Sequence, residues 1–136
     1  MQKGQSVVAY VKVPYDDEMC WILANLIEVE TTDGMCVVED IVEEQPNMKR
    51  ESYRVSSKHV VKFPQRGAEY KAGDRVLAVW YETNTQNWTS ILYPATVLQA
   101  YPSTNIPSSV VVKLRYDGDP KISYINALWV IAAPEL

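Results

Sequence analysis

Trp80, Tyr81, Trp88 and Tyr93 fall within the 23 residues from Arg75 to Val97 of a 136-residue chain that holds one histidine and two cysteines. Aromatic rings carry negative faces, and rings brought together at the facing ends of two strands form an open box that attracts a cation. The other reading of each ring is ordinary packing in the core or rim of a small barrel. A second group is acidic: Glu39, Asp40, Glu43 and Glu44, with Asp16, Asp17 and Glu18 in the preceding loop. Carboxylates gathered in a pocket bind an amine, whereas runs of charge on a loop are otherwise simply solvated. Other chemistries lack their residues. His59 in SKHVV has no nearby nucleophile or paired acid and falls in the turn before a strand, and no CxxC pair is present. Catalysis, a metal site and a cofactor are therefore not expected.

These groups need a scaffold, and the rest of the chain reads as short strands. Hydrophobic residues make up 47% of the chain, the net charge is −4 and the isoelectric point is near 5.0. An acidic balance argues against a phosphate-binding face and favours a basic partner. The basic residues Lys49, Arg50, Arg54, Lys58, Lys62 and Arg66 are scattered, so no direct nucleic-acid role is expected. No apolar run approaches the roughly 18 residues of a membrane span, and a soluble protein with Cys20 and Cys36 as reduced thiols is the expectation.

The chain also repeats itself. Gly4-Gln5-Ser6-Val7-Val8-Ala9 recurs as Gly73-Asp74-Arg75-Val76-Leu77-Ala78, and Trp21–Leu26 is echoed by Leu92–Val97. Val38-Glu39-Asp40 answers Arg115-Tyr116-Asp117, and Ser52-Tyr53 answers Ser123-Tyr124. The offset is 69 residues at Gly4/Gly73, 77 at Asp40/Asp117 and 71 at Tyr53/Tyr124. Alternating apolar residues and turn signals predict strands at Ser6–Lys12, Trp21–Glu30, Met35–Ile41, Ser52–Val55 and Val60–Phe63 in the first copy. In the second they are predicted at Arg75–Tyr81, Ile91–Ala100, Ser109–Tyr116, Lys121–Ile125 and Val130–Ala132, with a polar Thr/Asn/Gln/Trp loop before Ile91. About five antiparallel strands per copy predict an all-β chain of two packed SH3-like barrels, residues 1–65 and 70–136. Projecting one copy on the other sets Val11 against Trp80, Ile22 against Tyr93 and Glu39 against Tyr116, so the second barrel alone carries the aromatic trio.

VLAVWYETNT, ILYPATV and LRYDGD, with WILANLIEV and VVEDIVEE in the first copy, resemble the tandem Tudor module of the SAGA-associated chromatin reader. The resemblance runs in order along nearly the whole chain. It implies that the second Tudor barrel cages the trimethylated lysine at the fourth position of the histone H3 tail. The family's cage positions fall on Trp80, Tyr93 and Tyr116, and Tyr81 stands where the family has Pro, able to replace or supplement Trp80. The first barrel of the family holds the tail's amino terminus with an Asp-Ile-Asp stretch, which here reads Asp40-Ile41-Val42. The second Asp is lost, and Glu39, Glu43 or Glu44 would supply the charge. Glu82 and Asp117 are further candidate tail contacts.

The resulting expectation is a non-enzymatic nuclear reader of tri- or dimethylated lysine on the H3 tail, working with other subunits of a histone acetyltransferase complex. The alternatives are a tandem SH3-like scaffold and a methylarginine reader.

Overall fold

Among the described residues, Val, Ile and Leu at alternate positions form ten strands, each copy contributing five. In a computed structural model, residues 2–13, 18–30, 33–41, 51–65, 68–82, 87–106 and 109–134 are described, apart from the side chains of Glu30, Tyr81, Glu82, Asn87, Trp88 and Thr89. The strands of the first copy are β1 (Ser6–Lys12), β2 (Met19–Glu30), β3 (Met35–Asp40), β4 (Ser52–Ser56) and β5 (Val60–Lys62). Those of the second are β6 (Arg75–Glu82), β7 (Asn87–Pro102), β8 (Val110–Tyr116), β9 (Ser123–Asn126) and β10 (Val130–Ala132). The fold is all-β, and each copy is an SH3-like barrel. In the first, β1 pairs β2, β2 pairs β3 and β3 pairs β4, all antiparallel, and β5 returns to β1 through Val8↔Val61. In the second, β7 pairs β8 and β8 pairs β9, and β10 returns to β6 through Val130↔Ala78.

The local devices of closure are repeated as well. Gly4 (φ 87°) and Gly73 (φ 92°) sit in the left-handed region that a side chain would oppose. Their N–H groups donate to Leu26 O (2.7 Å) and Val97 O (2.8 Å), which ties the start of each copy to its second strand. Single 3-10 turns, Ser57–His59 and Ala127–Trp129, bend the chain from the fourth strand to the fifth. The Ser56 and Asn126 side chains cap them by accepting from the N–H groups of Lys58 and Leu128.

Register corrects the repeat in its middle. A bulge interrupts β2–β3 between Leu26 and Glu28 and β7–β8 between Val97 and Gln99, the same point in each copy. Beyond the bulge, Asp40 lies opposite Ala24 and Tyr116 opposite Ala95. Tyr116 is thus the counterpart of Asp40, not of Glu39. Matching sequences on the shared Asp40/Asp117 slips the third strand by one residue, which reverses the face of every side chain. In the fourth strand Val55 and Ile125 are equivalent, both facing inward, which makes Arg54 rather than Tyr53 the counterpart of Tyr124.

Two units emerge, one of Met1–Phe63 with Trp80–Leu92, the other of Pro64–Val79 with Tyr93–Leu136. The sequence division at 65–70 had assigned Trp80–Leu92 to the second copy. β3 leaves β2 beyond Ala24, so the edge of β2 at Trp21 and Ile22 needs another partner, and Leu92 and Ile91 of β7 supply it. β7 begins at Asn87 and not at Ile91, so residues read as a polar loop extend the strand. The first unit is built around Val7, Ala9, Val11, Ile22, Leu26 and Val38, all essentially inaccessible to solvent. In the second, Val97, Val112, Leu114, Ile125 and Val130 are likewise buried.

Candidate functional site

Burial alternates along β3, with Cys36, Val38 and Asp40 inward and Met35, Val37 and Glu39 on the other face. Asp40 therefore occupies a core-facing position at the strand's end and is only 6% exposed. A buried carboxylate is costly unless donors surround it, and Ser90 Oγ donates to Asp40 Oδ2 at 3.5 Å. Asp40 and Ser90 are the buried polar residues among those described. The Asp40 N–H donates to Glu51 O at 2.9 Å, and that of Ile41 to Leu23 O at 3.4 Å, which holds the end of β3 in place. Glu39 lies on the opposite face of the strand, so the structure does not bring it together with Asp40. Glu43 and Glu44 lie outside the described residues.

Among the aromatic candidates, Tyr93 and Tyr116 are brought onto one face. Tyr93 shares the alternation of Ala95 and Val97, both buried, yet it is 38% exposed. Tyr116 faces Ala95 across the β7–β8 ladder, which makes Tyr93 its diagonal neighbour, within reach of a long side chain. Tyr116 is 4% exposed, and its hydroxyl donates to the carbonyl of Val79 on β6. Burial pushes its phenol well above the ordinary tyrosine range. Trp80, the next residue after Val79, is half-buried and belongs to the first unit. The side chains of Tyr81, Glu82 and Trp88 lie outside the described set.

Asp117 already has a partner inside the protein. Arg75 Nη1 and Nη2 donate to its two carboxylate oxygens at 2.7 and 2.5 Å, and Nη1 also donates to Thr96 Oγ1 at 2.7 Å. This fork joins the starts of β6, the middle of β7 and the end of β8 beside Tyr116. The Arg75 guanidinium holds the Asp117 carboxyl below its usual range, and Asp117 in turn raises Arg75. Because the folded-state pKa is depressed, the stabilisation is present above the unfolded value of about 4 and is lost as pH falls through the folded one. Both side chains are about half exposed, so the effect is small, about 0–1 kcal/mol. Urea denaturation of Arg75→Gln is expected to show a shallower loss of stability below about pH 4 than the parent.

Sequence reasoning missed Arg75 and Ser90, whose partners lie 42 and 50 residues away. It also missed an aromatic cluster in the first unit, where Tyr10 packs on Trp21 (centroids 5.0 Å apart) and on His59 (5.8 Å, edge-on). Spacing along one strand gives no sign of either.

A family model described as the SGF29 tudor-like domain matches residues 3–134. Among solved structures, AGDP1 AGD34 of Arabidopsis thaliana is similar with a TM-score of 0.56 and 12% identity over 97% of this chain and 82% of that one. The tandem Agenet domain 3-4 of ADCP1 gives 0.52 and 12%, covering 97% and 79%. Both share the fold. The SHH1 SAWADEE domain, solved in complex with an H3K9me3 peptide, gives 0.42 and 15%, covering 98% and 100%. No curated protein matches in sequence.

Proposed function

We propose that this chain, which belongs to the SGF29 tudor-like domain family over residues 3–134, reads a methylated lysine near the free end of a histone tail. One observation carries the division of labour: Asp40 and Tyr116 hold equivalent places in the two copies, each opposite an alanine at the end of the third strand. A carboxylate there suits a primary amine, which needs hydrogen-bond acceptors as well as a countercharge. An aromatic ring suits a quaternary ammonium, which keeps its charge but has no donors left. Tyr93 and Tyr116, on one face of the second unit, take tri- or dimethylated lysine at the fourth position of the H3 tail. Asp40 takes the tail's amino terminus. Each ring contributes about 0.5–2 kcal/mol, and with the amine contact the affinity is of micromolar order. Three residues of extended tail between the two groups span about 10 Å. Glu39 faces away from Asp40, so of the described candidates Asp40 is the one placed for the amine, with Glu43 and Glu44 as further carboxylates, and Asp117, a candidate tail contact, is forked by Arg75. The protein's place is the nucleus, as a non-enzymatic subunit of a histone acetyltransferase complex.

Acetylating the first residue of the tail peptide removes the charge that Asp40 recognises. Affinity is expected to fall about tenfold, in line with the loss of a charge-assisted hydrogen bond, as read by isothermal titration. Equal affinity for free and acetylated peptides would remove the amine site from the account.

A further inference from the structure

We infer that Ser90 is a positioning residue for the amine site: through its hydroxyl it orients the Asp40 carboxylate and so sets how strongly the protein tells a free amino terminus from a blocked one. The inference rests on the amine-binding reading of Asp40 given above. Ser90 is 6% exposed, as is Asp40, and Ser90 Oγ lies 3.5 Å from Asp40 Oδ2. A hydroxyl is a donor that rotates to suit its acceptor, and inside a protein such a bond is electrostatically stronger than in water. Engaging Oδ2 biases the orientation of the carboxylate and thereby the direction of its remaining lone pairs.

Ser90 is no part of the first copy's own sequence. It comes from the Trp80–Leu92 stretch that joins the first unit, where the neighbouring Ile91 and Leu92 pair with Ile22 and Trp21 of β2. The ladder thus fixes the backbone of Ser90 relative to the strand that pairs with Asp40 at Ala24. A serine hydroxyl donates to a carboxylate without adding a charge of its own. Sequence alone presents Ser90 as one polar residue in the string Asn87-Trp88-Thr89-Ser90.

The test uses the whole chain and four peptides, trimethylated or unmodified at the fourth residue, each with a free or an acetylated amino terminus. For the parent, the free-to-acetylated affinity ratio is about tenfold. Ser90→Ala is expected to lower it to about threefold or less, with affinity for the acetylated trimethylated peptide changed less than about twofold. Ser90→Thr, which keeps the hydroxyl, is expected to restore most of the parent ratio. A Ser90→Ala protein that melts like the parent and discriminates as strongly would overturn the inference. So would a uniform loss of affinity for all four peptides, since that marks a structural role. If the parent itself does not discriminate, the amine-site reading fails first, and the inference falls with it; the two failures are told apart by the parent's own ratio.

Discussion

Tyr93→Ala is expected to melt within a few degrees of the parent and yet bind a trimethyl-lysine tail peptide at least about tenfold more weakly. The reasoning is geometric. Tyr93 lies on the inward-facing alternation of β7 yet is 38% exposed, and its counterpart in the first copy is the fully buried Ile22. A ring so exposed gives up little core packing when truncated, and a surface change of this kind costs about 1 kcal/mol or less. Loss of a cage wall removes a contact with the cation together with its shielding from water. Thermal melting and peptide titration on the same sample read the two effects separately. A large drop in melting temperature with undiminished binding by the folded protein would make Tyr93 a packing residue and contradict the cage.

Tyr116→Ala is expected to behave in the opposite way, with a loss of stability of about 3–5 kcal/mol, a large share of the roughly 5–15 kcal/mol of a typical domain. Tyr116 is 4% exposed and its hydroxyl is tied to the Val79 carbonyl, so its removal opens a cavity and strands an acceptor. Its ring is the floor of the proposed cage more than a side wall, and its role in binding is best read in Tyr116→Phe. That variant keeps the ring and loses one hydrogen bond, about 0.5–1.5 kcal/mol, and trimethyl-peptide affinity is expected to stay within about twofold. It also has a pH signature. Burial raises the folded-state pKa of Tyr116, so its contribution is fully present below the unfolded value of about 10 and is lost as pH rises beyond it. Denaturation above about pH 10 is expected to show a shallower decline for Tyr116→Phe than for the parent. Parallel declines would locate the alkaline sensitivity elsewhere.

The strands were legible because alternation reports the local backbone. β1 and β10 were read to the residue, and the first 3-10 turn fell at His59, where a turn before a strand was expected. What went unread depends on the third dimension. The one-residue slip that set Tyr116 against Glu39 arose because a shared Asp is a stronger textual match than a shared burial pattern, and bulges shift register without leaving a mark in composition. The transfer of Trp80–Leu92 to the first unit follows from an open edge on β2, and an open edge is a property of pairing, not of sequence. For the same reason Glu39 parts from Asp40. Adjacent residues on a strand look like one patch in a string of letters, but Glu39 and Asp40 point to opposite faces. Asp117, free in the sequence, is held by an arginine 42 residues away.

Calorimetric titration of the parent protein with two tail peptides, identical except for trimethylation of the fourth residue and both with free amino termini, tests the reader function most directly. The expected result is binding of micromolar order for the trimethylated peptide and at least tenfold weaker binding for the unmodified one, about 1.4 kcal/mol or more of discrimination. Equal affinities for the two peptides would contradict the cage and leave the protein as a pair of barrels with another partner.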